Sequence, residues 1–73
     1  MKQEMLSVRA DQVLVGDELY NRYGAKAHPA FAWVRVKAVE RSEDGKHVIL
    51  RTSAWDTWLH PAEGIGVCRW SEA

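Results

Sequence analysis

The sequence predicts an all-β domain, on three observations. Two β-branched runs, at 33–40 and 47–52, flank the pair Asp44-Gly45 and read as the strands of one antiparallel hairpin. Glycine and proline punctuate the chain at short intervals. No stretch of useful length repeats its apolar residues at a helical period. The rest of the chain is expected to wrap around that hairpin.

The chain of 73 residues makes one domain, expected over 5–73 behind a flexible 1–4 segment. A chain this short buries only roughly 60% of its unfolded surface, so efficient packing or a partner must supplement the core. Cys68 is the single cysteine, which excludes a disulfide within the chain, and the Trp residues, four in number, supply large apolar area instead. Ten Lys plus Arg balance ten Asp plus Glu, which argues against non-specific binding to nucleic acid, where many cations must meet phosphate. The polar start lacks the pattern of a signal peptide, and no apolar run approaches transmembrane length. A cytoplasmic protein that does not engage a membrane is the expectation.

In chain order, 5–9 reads as a first strand and 10–13 as one turn of 3₁₀ helix in which Asp11 bonds nearby backbone amides. Gly16 suits a turn position of positive φ that launches a strand over 17–20. The 21–32 segment is the longest without periodicity. Gly24 and Pro29 break it, and it reads as a long loop whose Tyr23 and Phe31 either lid the core or face a partner. In the first hairpin strand Val34, Val36 and Ala38 share one face, and Trp33, Arg35, Lys37 and Val39 the other. Val39 on a cationic face breaks the alternation, and a β-bulge near Ala38-Val39 would repair it. In the return strand Val48, Leu50 and Thr52 alternate with His47, Ile49 and Arg51, and an outward Ile49 implies cover on both sides. A second hairpin over 53–59 turns at Trp55-Asp56, placing Trp58 with His60 and Thr57 with Leu59. Pro61 and Gly64 end that run in a short 3₁₀ turn before a final strand at 65–70.

The pattern Val8-x-Ala10-x-x-Val13-x-Val15-Gly16-Asp17-x-Leu19 resembles the opening of many small SH3-like barrels and the first turns of Hint (intein-type) domains. The nucleophilic Cys or Ser and the terminal His-Asn of Hint domains have no counterpart here, so only the architecture carries over: the resemblance implies a small five-stranded SH3-like barrel closed by pairing of its first and last strands, which leaves no long edge open. With the Asp-Gly hairpin and the proline turn before Gly66-Val67-Cys68-Arg69, the chain as a whole resembles the very small SH3-like barrel proteins of actinobacterial bacteriophages. That resemblance implies a stand-alone accessory protein in the host cytoplasm, binding and modulating or blocking a host factor such as antiviral defence machinery.

The residues themselves offer little chemistry. His28, His47, His60, Glu63 and Cys68 are possible metal ligands, but none stands in a ligand-pair spacing, and neither metal nor cofactor is expected. Cys68 falls in a predicted strand with Arg69 turned to the opposite face, and reads as a small buried hydrophobe, with a Cys68-His60 pair as the catalytic alternative. The carboxylates scatter through turns, and no phosphate loop is present. A non-enzymatic binding module follows. Its expected surface is Trp33, Arg35 and Lys37, with Arg51 across from them, Tyr20, Arg22 and Tyr23 approaching from the loop, and Trp55 at its turn. Interleaved aromatic and cationic residues suit a protein interface or stacking on bases, while the bland alternative has Lys and Arg stems simply covering apolar surface. Neutral net charge favours a protein partner over nucleic acid. Trp55 is expected to fold back onto the barrel and Trp70 to cap its open end, and a homodimer or virion component is a further alternative.

Overall fold

The structure is a computed structural model that describes residues 2–71, with Arg22 and Phe31 described by backbone alone. Its strands are β1 (Lys2–Arg9), β2 (Glu18–Tyr20), β3 (Trp33–Arg41), β4 (Val48–Thr52), β5 (Asp56–Leu59) and β6 (Gly64–Ser71). All pairings are antiparallel, in one sheet of order β1-β6-β2-β3-β4-β5. The last strand pairs with the first as expected, from Lys2↔Ser71 to Arg9↔Gly64.

The expected closed, five-stranded barrel is corrected in two respects. The 53–59 hairpin supplies a strand of its own, making six. β6 also lies between β1 and β2, which leaves β1 and β5 as the sheet's unpaired ends among the described residues. Residues 2–4, expected loose, belong to β1 and pair with β6.

The core gathers on one side of the sheet. Leu50, Val36, Val48, Val67 and Ala10 are its most enclosed members, with Val13, Leu19 and Val34 beside them, and Leu6, Val8, Val39, Trp55, Leu59 and Ile65 closing round. Two buried apolar residues lie apart from this cluster. Ile49 sits opposite Trp58, and Cys68 opposite Met5, so both are covered from the outward face.

The turns follow local chemistry. A 3₁₀ turn occupies Ala10–Gln12 as expected, but Asp11 does not bond backbone amides. Its Oδ2 accepts from the Arg9 guanidinium at 3.0 Å, while the Ala10 and Asp11 amides donate to the Glu63 and Pro61 carbonyls of the turn opposite. That opposite turn is a simple hydrogen-bonded one rather than 3₁₀: Glu63 N–H donates to the His60 carbonyl at 2.9 Å, and the His60 ring nitrogen accepts from Ala62 N–H.

Gly16 has φ +96°, and its N–H reaches the Val36 carbonyl at 2.9 Å. No heavy atom lies within 4 Å of where a Cβ would stand, so backbone strain alone opposes a side chain. Gly16→Ala is therefore expected to cost about 1 kcal/mol, read as a lowered urea midpoint at unchanged slope.

The 21–32 segment is not an aperiodic loop. It holds a short helix α1 (Arg22–Ala27) and a 3₁₀ turn at Pro29–Phe31. Asn21 caps the helix by accepting from Gly24 N–H at 3.1 Å, and the His28 ring accepts from Ala30 N–H at 3.0 Å, with Pro29 at the first position of the second turn. Gly24, read as a breaker, thus supplies the capped amide. The segment is pinned at its base, where Asn21 N–H meets the Ala32 carbonyl at 2.6 Å.

Candidate binding surface

The bulge in β3 divides the surface expected from the sequence. Val36 pairs with Thr52, but Ala38 pairs with Arg51 and Val39 with Leu50, so Lys37 is the extra residue, slightly earlier than the Ala38-Val39 position expected. Ahead of it Val34 and Val36 face the core; beyond it Val39 does, opposite Leu50, and the interior and exterior faces exchange along the strand. Trp33 and Arg35 therefore remain together, while Arg51 belongs to the other half of the sheet. There Arg51 is held by Glu40 at 2.7 Å and by its cross-strand partner Asp56 at 2.7 Å. The hydrogen bond it donates to Glu40, and then the charges of Glu40 and Asp56, push its guanidinium pKa further up. Arg51 is thus a satisfied structural cation and leaves the predicted site.

The surface that does assemble is the outward face of β1, β6, β2 and β3. Registers align Met5, Cys68, Glu18 and Arg35 in one row across the four strands. One step along, Tyr20 pairs with Trp33, their rings 5.5 Å apart at 67°, an edge-to-face contact. Trp70, expected to cap the barrel's end, instead lies on this outward face, its indole N–H donating to Glu18 Oε1.

At the Tyr20 end the aromatic residues converge. Tyr20, Asn21, Tyr23 and Trp55 line a groove of about 450 Å³, and a second depression continues from Tyr20 and Trp55 over Leu59, Ile65 and Gly66. Helix α1 sets Tyr23 there, 76% exposed. Trp55 is fixed by Thr52, whose Oγ1 accepts from the Ala54 and Trp55 amides at the turn over 53–54. This tight turn precedes Trp55 rather than centring on Trp55-Asp56, and it folds the indole onto the core as expected. Of the residues singled out from the sequence, Tyr20, Tyr23, Trp33 and Trp55 come together; Arg35 adjoins them two residues along β3; Lys37 sits exposed at the bulge; Arg51 is elsewhere; the Arg22 side chain lies outside the described residues.

Sequence reasoning missed the buried ion pair of Asp17 and Arg69. Asp17 is only 2% exposed; its Oδ1 accepts from Arg69 Nε at 2.9 Å and its Oδ2 from Arg69 Nη2 at 2.8 Å and Leu14 N–H at 2.9 Å. Burial pushes the Asp17 carboxyl pKa up, but the hydrogen bonds from Arg69 and Leu14 and the Arg69 charge outweigh it, and the net shift is downward. The turn after Gly16 placed Asp17 correctly; its partner, far along the chain, left no local signal. Cys68 is buried as expected and accepts from Gln3 Nε2 at 2.8 Å. His60 and His28 cap their own turns, and the His47 ring rests 5.9 Å from Trp58. Among the described residues no three His, Cys, Asp or Glu side chains group as metal ligands, and no helix is long and apolar enough to cross a membrane.

Comparison with known proteins found no matching family model, no similar curated protein and no similar solved structure.

Proposed function

We propose that the protein is a non-enzymatic binding module that recognises a protein partner through the aromatic end of its sheet, around Tyr20, Tyr23, Trp33 and Trp55. The observation that carries this reading is the convergence of three large rings, Tyr20, Tyr23 and Trp55, on one groove, with Trp33 packed edge-to-face on Tyr20 and with Tyr20 and Tyr23 more than half exposed. Rings of this kind, flanked by Arg35, are the residues that dominate the energetic centres of protein interfaces. The six-stranded sheet is read as an SH3-like barrel left open between β1 and β5. By its resemblance the protein would be a phage-encoded accessory factor acting on a host protein in the bacterial cytoplasm.

A second reading, binding of single-stranded nucleic acid, is favoured by the exposed Tyr20 and Tyr23 faces, which are suited to stacking. The zero net charge weighs against it.

The test is affinity capture from host lysate with the wild-type chain and with Tyr20→Ala/Tyr23→Ala, two exposed positions whose loss spares the core. A partner retained by the wild type and lost by the folded variant supports the reading. Equal capture by both overturns it. Capture that disappears after nuclease treatment transfers the surface to nucleic acid.

A further inference from the structure

A second groove, of about 540 Å³, opens on the same outward face two residues further along β2 and β3. Its apolar walls are Leu14, Val15 and Trp70, which are 54%, 65% and 44% exposed. Large apolar side chains left in water at one place are uncommon unless something covers them. The turn that presents Leu14 and Val15 is firmly held. Leu14 N–H donates to Asp17 Oδ2, Asp17 N–H to the Leu14 carbonyl at 3.1 Å, and Gly16 N–H to the Val36 carbonyl at 2.9 Å.

The charges around this groove are unequally committed. Asp17 is neutralised by Arg69 and accepts from three donors. Glu18 stands opposite Arg35 in the ladder, yet its Oε1 accepts from the Trp70 indole. Arg35, at the groove's rim, enters no ion pair among the described residues, and neither does Lys37 two residues on. An apolar cleft is thus edged by a guanidinium that lies beyond ion-pair distance of its cross-strand carboxylate among the described residues.

We propose that this groove receives an extended segment of a partner protein in which an apolar side chain lies next to a carboxylate. The apolar side chain packs between Leu14, Val15 and Trp70, and the carboxylate takes the paired N–H donors of Arg35. Lys37 adds positive charge on the same strand. The groove shares Arg35 with the aromatic end but none of the rings there, and its test reads the amides of 14–18 and not that end.

The test is a titration of blocked Glu-Leu-Glu peptide, with its Gln-Leu-Gln analogue, into the isotope-labelled protein followed by amide NMR. The acidic peptide is expected to move the amides of 14–18 and the Trp70 indole N–H saturably, and to bind about tenfold or more tightly than the glutamine analogue. Arg35→Gln is expected to abolish that preference. Val15→Glu, a change at an exposed position, is expected to weaken the acidic peptide by like-charge repulsion; preserved amide dispersion shows that each variant is folded. Equal binding of the two peptides, shifts elsewhere on the molecule, or no shift with the acidic peptide overturns the proposal. Movement of the same amides on raising protein concentration alone assigns the groove to a second copy and overturns it as well.

Discussion

Leu50→Ala is expected to destabilise the protein by about 3 kcal/mol and to lower its melting temperature by roughly 15 °C, followed by circular dichroism. Leu50 is fully buried, pairs with Val39 on one side and Thr57 on the other, and so joins the two hairpins at the centre of the core. A domain of this size holds only about 3–5 kcal/mol in its core, so one such cavity consumes most of the margin. Leu59→Ala, at a half-buried position packed on the same cluster, removes the same atoms and is expected to cost less than half as much. Similar losses at the two positions would show that the core is not centred on Leu50.

Asp17→Asn is expected to cost about 2–4 kcal/mol, because it keeps the shape but strips the charge that holds Arg69 and weakens the bond to Leu14 N–H. The folded-state pKa of Asp17 lies below its ordinary value of 3.8. The stabilisation is therefore complete above that ordinary value and is lost as pH falls through the depressed folded value. Melting curves of the wild type should drop steeply in that acid window, and those of Asp17→Asn less so. Replacing the pair together, by Asp17→Leu with Arg69→Met, is expected to recover much of the loss, since no partly buried charge is then left alone. A double variant as unstable as Asp17→Asn would mean that packing, and not the ion pair, sets the value of the position.

The parts of this fold that could be read from the chain are those whose cause is local. The β3–β4 hairpin follows from alternation plus Asp44-Gly45: Gly45 takes φ +72°, and Asp44 Oδ1 accepts from Ser42 Oγ and Lys46 N–H. Its carboxyl pKa is lowered, first by the Ser42 hydroxyl. The Gly16 turn was legible in the same way, whereas the β1–β6 pairing joins the two ends of the described chain and followed only from the resemblance to SH3-like barrels. Helix α1 was not, because six residues are too few to display a period, and only the Asn21 cap and Pro29 mark it. The fate of Arg51 depends on Glu40 and Asp56 arriving from two neighbouring strands, which a count of charges does not reveal. Asp17 and Arg69 are 52 residues apart. For the site, the aromatic members were visible as residue types, but they were grouped with cations along one strand. The grouping that forms instead is set by α1 and by the Thr52 turn, which bring Tyr23 and Trp55 to Tyr20.

Lys37 has an unusual status. Without it, Val36, Ala38 and Val39 would face Thr52, Arg51 and Leu50 in unbroken succession, with every core residue still pointing inward. The residue is superfluous to the ladder, and what it contributes is a bend in the strand that carries the sheet around the core. The information at this position is therefore one of length. Exchanging the Lys37 side chain should pass almost unnoticed by the fold, whereas excising the residue would straighten β3 and pull the Trp33 end of the sheet away from the Leu50 end.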